Sequence, residues 1–188
     1  MRAEVVSFSD ELLILVDSDD REIGYLDKES CHNGDGKLHR AFSVFIFNSE
    51  GKLLLQQRKS SKRLWGGYWA NTCCSHPRKG ETVDGASKRR LLEEVGLETP
   101  LKWLFKFEYH ARFRDLGSEF ELCHVLVGKS DAAPDPNDTE IEALRWVSPS
   151  ELDAELERDD HLLTPWLAIE WKRLRSEFSD DLSELGVR

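Results

Sequence analysis

The alternation of β-prone runs with short turns limits the folds open to this chain more than any other feature of its sequence. The runs are rich in valine, isoleucine, leucine and phenylalanine, with aspartate, asparagine, serine and glycine between them. Turns at 17–20, 48–51 and 115–118 are short enough for hairpins, whereas the polar segments 28–39 and 59–68 are predicted loops. The predicted strands, in chain order, are 12–16, 22–26, 41–47, 52–57, 103–114, 119–127 and 141–147.

Start and stop signals predict three helices among these strands. The first covers about 82–95, and Gly96 follows where a helix favours a glycine cap. A capping box at 148–151, with proline at the first helical position, starts the second helix. A similar Thr-Pro signal starts a closing helix over 164–178. The pattern predicts a mixed sheet with flanking helices, an α+β fold arranged as an α/β/α sandwich.

Length and composition predict one folded domain. The chain has 188 residues, which is enough to bury a substantial core. Hydrophobic residues make up 39% and aromatic residues 10%, which argues against disorder. We expect a single domain over 1–188 with its core at about 5–175, the first hairpin as an N-terminal extension and an acidic C-terminal tail.

Charge, cysteine usage and the apolar runs restrict the partners and the compartment. The formal net charge of −10 disfavours nucleic acid, because phosphates would be repelled. The four cysteines include an adjacent pair but no CxxC spacing, which fits reduced thiols in the cytosol. The apolar run 12–16 is far shorter than the roughly 20 residues that a membrane helix needs. We expect a soluble, cytoplasmic monomer that binds neither nucleic acid nor membrane.

Three histidines and two glutamates form the clearest candidate for a metal site. His32 and His39 belong to a predicted polar loop, and His76 follows the adjacent cysteines. Glu119 and Glu121 alternate on a predicted strand, so their side chains share a face. Such a set suits Mg²⁺, Mn²⁺ or Zn²⁺ with one position open. Each of these residues alone is more often a surface or hydrogen-bonding group, and spacing alone does not bring the segments together.

The first predicted helix carries a recognisable pattern. The segment GETVDGASKRRLLEEVGL resembles the Nudix box, Gly-x5-Glu-x7-Arg-Glu-U-x-Glu-Glu-x-Gly-U, in which U is apolar. With Gly96 as the anchor, the other box positions fall on Ser75, Glu81, Arg89, Arg90, Leu91, Glu93 and Glu94. Ser75 stands where the pattern has glycine, and Arg90 stands where the hydrolases have a glutamate of their magnesium cluster. A cation at that position opposes binding of the same metal ions.

Further segments narrow the resemblance to one family. These are the Asn-x-x-Cys-x-His-Pro pattern, the two upstream histidines, the Glu-x-Glu strand and a Thr-Pro-Trp segment near the end. In this order, over about 5–171, they resemble the flavin-independent, type I isopentenyl-diphosphate Delta-isomerases. The resemblance implies interconversion of isopentenyl and dimethylallyl diphosphate, in isoprenoid biosynthesis. The implied route is protonation and deprotonation through a tertiary carbocation, without a flavin.

The resemblance also implies residue roles. Cys74 falls on the catalytic cysteine, with Glu121 and Tyr109 on the opposite face of the substrate. The implied ligands of the first metal, Mn²⁺, Mg²⁺ or Zn²⁺, are His32, His39, His76, Glu119 and Glu121. Glu94 falls on the residue that serves a second, diphosphate-bound Mg²⁺. The implied substrate-binding residues are Lys28, Arg58, Ser61, Lys62, Arg90 and Trp166, although any one of the cations alone is more often ordinary surface charge.

Two other classes of protein stay open at this point. A Nudix pyrophosphohydrolase would share the fold, but it should have glutamate at position 90 and would not need Cys74. A non-catalytic Nudix-like binding module would be expected to lose Cys74 or the Glu-x-Glu pair, and this chain has both. Activity assays on nucleoside diphosphate derivatives distinguish the hydrolase from the isomerase.

Overall fold

The structure is a computed structural model that describes residues 3–158 and 162–187, so 1–2, 159–161 and 188 of the predicted domain lie outside the described part. Its strands are β1 (Leu12–Val16), β2 (Glu22–Asp27), β3 (His39–Phe47), β4 (Leu53–Arg58), β5 (Trp69–Ala70), β6 (Cys73–Ser75), β7 (Leu101–Phe113), β8 (Gly117–Lys129) and β9 (Ile141–Val147). Its helices are α1 (Lys28–Cys31), α2 (Val83–Arg90), α3 (Pro149–Leu156), α4 (Pro165–Glu177) and α5 (Ser179–Glu184), and a π-helical turn, Leu91–Val95, extends α2.

Strand β3 lies at the centre of a mixed sheet. Along one edge it pairs in parallel with β8, from His39 opposite Glu121 to Phe47 opposite Lys129. Along its other edge it pairs antiparallel with β1, β6 and β4 in succession. Almost every residue of β3 is buried, as expected of a strand that helices cover on both faces. This topology brings the start of β3, the start of β8 and the end of β6 together at one end of the sheet.

The second predicted hairpin is confirmed only at its turn. Strands β3 and β4 pair at Phe47 and Leu53, and β4 then diverges to pair with β9 and β5. Thr72 fills the gap between the diverging strands, because its hydroxyl accepts from the Ile46 amide at 2.9 Å and donates to the Leu54 carbonyl at 2.6 Å. Strands β5 and β6 were not predicted, because they are too short to carry an alternating pattern.

Helices cover both faces of the sheet, and the predicted α/β/α sandwich is confirmed. On one face Trp171 of α4 packs into the same apolar cluster as Phe45 of β3. On the other face Leu91, directly after α2, packs into a cluster with Phe42. Each fully buried large apolar side chain contributes about 1.5–3 kcal/mol relative to an exposed one, so these two layers hold the helices to the sheet.

The predicted first helix is confirmed, with an unexpected last turn. Thr82 caps its start by accepting a hydrogen bond from the Gly85 amide at 3.1 Å. After Arg90 the backbone widens into the π-helical turn, and Gly96 ends it in the left-handed conformation with φ 73°. Helix α1 also was not predicted; it forms a single turn within the segment that was expected to be a loop.

The turn between β7 and β8 is tighter than predicted and contacts the loop of His32. It lies at 114–116, so that Gly117 and Ser118 already belong to β8. A Cβ atom on Gly117 would lie 2.2 Å from the carbonyl oxygen of His32, so only glycine permits this approach. The Ser118 amide donates to the same oxygen at 3.1 Å. These contacts hold the His32 loop against the start of β8.

The C-terminal segment packs against the body of the fold. The capping box of α3 is formed, as predicted, by Ser148 and Glu151. Helix α5 was not predicted, since only Leu182 among its residues is buried and its acidic side chains hide that signal. Within the described ranges, no helix has the length and apolar character needed to span a membrane.

Candidate active site

The three candidate metal-binding histidines come from three separate segments. His32 follows α1, His39 opens β3 and His76 follows β6. Their ring centroids lie 4.9, 5.2 and 4.8 Å apart, and all three side chains are largely buried. The mixed sheet therefore brings together residues that sequence spacing alone could not place.

Strand β8 adds two carboxylates on the side facing the histidines. Glu121 pairs with His39 across the parallel β3–β8 ladder, and Glu119 lies two residues earlier on the same face. Glu119 Oε2 is 2.8 Å from Nε2 of His32, and Glu121 Oε1 is 2.8 Å from Nε2 of His76. One donor atom from each of the five side chains lies within 4.8 Å of all the others. The structure thus brings together all five side chains that were predicted to bind the first metal ion.

Backbone carbonyls set the orientation of two imidazoles. Nδ1 of His32 lies 2.6 Å from the Lys28 carbonyl oxygen, and Nδ1 of His39 lies 2.7 Å from that of Lys37. Since a carbonyl only accepts, each Nδ1 carries the hydrogen and each Nε2 points inward. Among the described residues, Nε2 of His39 has no hydrogen-bond partner although it is buried. A buried lone pair without a donor fits a divalent metal ion.

The protonation states of His39 and His76 support the same conclusion, whereas at His32 burial acts to lower the pKa but Glu119 outweighs it and raises the pKa. Burial and the neighbouring His32 lower the pKa of His39 to about 4, and burial with His39 and His32 holds the pKa of His76 well below its usual value. Both imidazoles therefore stay neutral and keep a free lone pair. Burial acts to raise the pKa of Glu119, but His32 outweighs it and keeps that carboxylate ionised. Burial and the charge of Glu119 raise the pKa of Glu121. A shared cation would relieve this crowding of carboxylates.

A cavity of about 370 Å³ opens beside the cluster. Its size is within the range of small-molecule sites. The predicted site residues that line it are Lys28, His32, Arg58, Ser61, Lys62, Cys74, His76, Arg90, Tyr109, Glu119, Glu121 and Trp166. His39 lies fully buried behind this wall, and Glu94 is also buried and not part of the lining. One cavity therefore contacts both the candidate catalytic groups and the candidate diphosphate-binding groups.

The adjacent cysteines point to opposite sides of β6. Cys73 is fully buried in the apolar layer beneath α2, whereas Cys74 lines the cavity. This is the alternation expected of an extended segment. Burial raises the pKa of the Cys74 thiol to about 12, and the Arg58 Nη1, 3.8 Å away, acts in the opposite direction. The thiol is therefore protonated at neutral pH.

Tyr109 and Trp166 form the aromatic side of the cavity. The Tyr109 hydroxyl donates to Oε2 of Glu121 at 2.6 Å, and burial with the charge of Glu121 raises its pKa well above the usual value. The ring of Trp166 lies 6.4 Å from that of Tyr109 and 5.3 Å from that of Trp65, centroid to centroid. The guanidinium of Arg58 lies 5.2 Å from the Trp166 ring. Trp166 and Tyr109 thus give the cavity an aromatic wall, with the Arg58 guanidinium beside Trp166.

The cavity wall also collects positive charge. Lys28, Arg58 and Lys62 all line the cavity, and Ser61 lines it as well. Burial and the nearby Lys62 lower the pKa of Lys28 to about 8. Nζ of Lys28 donates to the Ser7 hydroxyl, so the N-terminal segment also reaches the cavity wall. A cluster of this kind favours a polyvalent anion such as a diphosphate.

Arg90 and Glu94 are engaged with each other. Nε and Nη2 of Arg90 donate to Oε1 of Glu94, the former at 3.0 Å, and both side chains are almost fully buried. Nη1 of Arg90 donates to the Val6 carbonyl at 2.7 Å and to Glu93 at 3.2 Å. Arg90 therefore reaches the cavity wall with its donors already in use, and its spacing of four residues from Glu94 on one helix was the available sequence signal.

Two buried carboxylates near the cavity were missed by sequence reasoning. Glu140 lies just before β9 and lines the cavity, and nothing in its local sequence marks it. Glu170 is fully buried on α4, where burial raises its pKa to about 8 and the Cys123 thiol lies 3.4 Å away. Its position four residues after Trp166 was the available signal, because that spacing puts both on one helix face.

Comparison with known proteins identifies close relatives. The NUDIX domain family model matches residues 37–167. A Photorhabdus laumondii protein named isopentenyl-diphosphate Delta-isomerase 1 is 39% identical over 175 residues, which are 92% of this chain and 99% of that protein. The isopentenyl-diphosphate Delta-isomerase of Nocardia farcinica is 44% identical and covers 82% of this chain and 89% of its own. That of Burkholderia multivorans is 47% identical, over 73% and 78% respectively.

Solved structures agree on the fold. A Deinococcus radiodurans crystal structure matches with a TM-score of 0.72 at 24% identity, over 87% of this chain and 98% of that one. A MutT protein from Methanosarcina mazei matches with a TM-score of 0.61 at 17% identity, over 75% and 95%. At these identities the likeness establishes the fold alone, and the predicted Nudix-like architecture is confirmed.

Proposed function

The chain belongs to the isopentenyl-diphosphate Delta-isomerase family, and we propose that it interconverts isopentenyl diphosphate and dimethylallyl diphosphate by protonation and deprotonation. One observation supports this most strongly. Cys74, Tyr109 and Glu121 line the same cavity as the cations Lys28, Arg58 and Lys62. The cavity thus offers proton-transfer groups and an anion site in the arrangement that this reaction needs.

The chemistry of the substrate dictates the type of groups required. Isopentenyl diphosphate has an unactivated double bond with no carbonyl to stabilise a carbanion. Adding a proton to its terminal carbon gives a tertiary carbocation, and losing a proton from the neighbouring methylene forms the new double bond. One group therefore donates a proton and another accepts one, so the protein recovers its starting state through proton exchange. We assign these roles to Cys74 on one face and to Glu121 with Tyr109 on the other.

The two proton-transfer groups are suited to opposite tasks in either direction of the reaction. The Cys74 thiol is protonated in its buried position, so it can serve as a donor. The Tyr109 hydroxyl donates to Oε2 of Glu121, and this hydrogen bond fixes the position of that carboxylate oxygen. A magnesium, manganese or zinc ion at the histidine–glutamate cluster would lower the proton affinity of Glu121.

Aromatic walls would protect the intermediate. Water traps a carbocation rapidly, so the reacting carbons have to be kept dry. Trp166, with Trp65 and Tyr109 near it, forms an apolar wall of the cavity. The face of a tryptophan stabilises a desolvated cation by about 2 kcal/mol or more. We propose that Trp166 faces the isoprenoid chain.

The cations that line the cavity would hold the diphosphate. Arg58 and Lys28 are the best placed, since each has donors at the cavity wall and neither forms an ion pair with a carboxylate among the described residues. Arg90 contributes less direct contact, because its donors are occupied. A second Mg²⁺ on Glu94 stays a prediction. Glu94 fits it less well, since Arg90 occupies Oε1, and no step proposed here depends on it.

The hydrolase alternative is disfavoured by the surroundings of residue 90. In the Nudix box this position is a glutamate for magnesium, and here Arg90 is buried in ion pairs with the carboxylates around it. A second cation cannot occupy the same space. The chain has also kept Cys74 at the cavity wall, which phosphate hydrolysis does not require.

Compartment, partners and assembly remain predictions. All four cysteines are free thiols, which supports a reducing compartment such as the cytoplasm. The single-domain organisation, a monomeric state, the lack of a flavin and the lack of nucleic-acid and membrane partners are likewise our expectations from the sequence.

Reaction in heavy water tests the proposed chemistry. The protein is incubated with isopentenyl diphosphate and MgCl₂ in D₂O, and the product is followed by proton and deuterium NMR. We expect dimethylallyl diphosphate with deuterium in the methyl group that forms from the terminal carbon. Product that carries no deuterium, or unchanged substrate, would refute protonation from a solvent-exchangeable group.

A further inference from the structure

Glu140 is a buried carboxylate beside two cations of the cavity wall, Lys62 and Arg90. It is only 3% exposed, and it lines the cavity. Its Oε2 forms an ion pair with Nζ of Lys62 and lies 3.5 Å from Nη2 of Arg90. A negative charge at this place opposes an incoming diphosphate, so its presence needs a physical reason.

The reason lies in the segment that carries Lys62. Lys62 belongs to 59–68, which forms neither helix nor strand, so its long side chain is not oriented by regular backbone. Glu140 fastens this segment twice, because its carbonyl accepts from the Lys59 amide at 2.9 Å and its carboxylate binds Lys62 Nζ. Glu140 is itself fixed, since its amide donates to the Asn137 carbonyl at 3.0 Å directly before β9. The position of Lys62 Nζ is therefore fixed by a residue that directly precedes strand β9 of the sheet.

The same carboxylate is ionised beside both cations. Burial acts to raise the pKa of Glu140, but Lys62 and Arg90 outweigh this effect and the pKa is lowered. Glu140 thus connects the 59–68 segment to the end of α2, where Arg90 is already tied to Glu94. These contacts hold two cations at the wall before any ligand arrives.

We propose that Glu140 is a positioning residue, which holds Lys62 and Arg90 against the cavity wall so that a diphosphate meets cations already in place. Preorganised donors bind more tightly than mobile ones, because less side-chain freedom is lost on binding. The identity of the natural ligand rests on the proposed function, whereas the positioning itself concerns any diphosphate that enters the cavity.

The variant Glu140→Gln separates positioning from simple charge. If Glu140 were only a background negative charge, its removal would tighten the binding of an anion. Positioning gives the opposite result. We expect inorganic diphosphate, titrated calorimetrically at fixed MgCl₂, to bind about fivefold or more weakly, as for the loss of one charge-assisted contact. The KM for isopentenyl diphosphate should rise by a similar factor, with kcat changed by less than about threefold.

Neighbouring residues supply the controls. Glu142→Gln removes the same charge two residues later, from an exposed side chain outside the cavity lining that contacts Lys59 and Ser60 but neither Lys62 nor Arg90 among the described contacts, and it should leave diphosphate affinity within about twofold. Glu140→Asp keeps the charge and should restore part of the loss. Glu140→Gln combined with Lys62→Met should weaken binding by clearly less than the sum of the two single losses, because the two residues act together.

The outcomes decide the proposal independently of catalysis. Unchanged or tighter diphosphate binding by Glu140→Gln, or fully additive losses in the double variant, would overturn it. If Glu140→Gln does not fold, Glu140→Asp and Lys62→Met with their combination give the same comparison. Diphosphate binding needs no turnover, so a protein that bound diphosphate as described but moved no double bond would refute the proposed function and leave the positioning role intact.

Discussion

Arg90 donates two hydrogen bonds to the same oxygen of Glu94, and both side chains are buried at the end of α2. In the Nudix box both positions are glutamates, so here one acidic position has become the partner of the other. Where the hydrolases have a glutamate of their magnesium cluster, this chain thus has a cation in an internal ion pair. This relationship connects the departure in sequence to the proposed change from hydrolysis to isomerisation.

Removal of Arg90 should affect stability as well as substrate binding. Arg90→Ala would leave Glu94 buried without its partner, and breaking a buried ion pair from one side costs about 3–5 kcal/mol. Arg89→Ala is the control, because Arg89 pairs with Glu81 and Glu93 in a more exposed position and should cost about 1 kcal/mol or less. Urea unfolding measures both values. Equal losses from the two variants would contradict the structural role of Arg90.

The adjacent cysteines should differ sharply in their effect on turnover. Cys74→Ala is expected to abolish activity, because it removes the thiol at the cavity wall. Cys73→Ala should leave kcat within a few-fold, since Cys73 packs in the apolar layer behind β6. Steady-state kinetics on isopentenyl diphosphate compare the two variants. Similar losses from both substitutions would contradict the assignment of Cys74 as a proton-transfer group.

The histidine–glutamate cluster should bind one divalent ion tightly. His39→Ala removes a fully buried ligand that does not line the cavity, so its effect on substrate contacts is indirect. We expect metal content and activity to fall together, and chelation of the unmodified protein should lower both its activity and its melting temperature. Elemental analysis and thermal unfolding give these values. Lost activity at unchanged metal content would indicate another role for His39.

An ion-pair cluster outside the cavity predicts a pH-dependent contribution to stability. Asp20 accepts from Arg40 at 2.7 Å and contacts Lys106 and His124 at 3.1 and 3.0 Å. Burial acts to raise the pKa of Asp20, but Arg40 and Lys106 outweigh burial and lower the pKa below its usual value. A lowered folded-state pKa stabilises the protein above the unfolded value, and this contribution is lost as pH falls through the folded value.

The variant Asp20→Asn isolates that charge, because asparagine tolerates the left-handed backbone at φ 70°. Its free energy of unfolding should be lower by about 1 kcal/mol at pH 7, a modest value for a partly solvated cluster. The difference should shrink as the pH falls through the folded-state pKa of Asp20, where the carboxylate becomes protonated. Denaturant titrations at neutral pH and over a series of acidic pH values test this. A difference that persists in acid would mean that the charge is not its source.

Much of the site could be predicted from the sequence because it depends on local pattern. Alternation on a strand put Glu119 and Glu121 on one face and separated Cys73 from Cys74, and the structure has both features. The helix signals around 82–95 and 148–151 also have local causes, and both helices are present. The family resemblance then supplied the connections between distant segments.

The rest depends on contacts that no local pattern encodes. The approach of Glu140 to Lys62 and to Arg90 arises only when α2, β9 and the 59–68 segment meet. The brief contact of β3 with β4 depends on Thr72, which lies far along the chain and bridges the diverging strands. Such tertiary contacts override what strand and turn propensities indicate.

The most direct measurement of the central claim follows both possible reactions of one substrate in one sample. The unmodified protein is incubated with isopentenyl diphosphate and MgCl₂, and the acid-labile allylic product and released phosphate are quantified over many turnovers. We predict dimethylallyl diphosphate approaching equilibrium with no detectable phosphate. Phosphate release without migration of the double bond, accompanied by hydrolysis of nucleoside diphosphate derivatives, would contradict the account and identify a Nudix hydrolase instead.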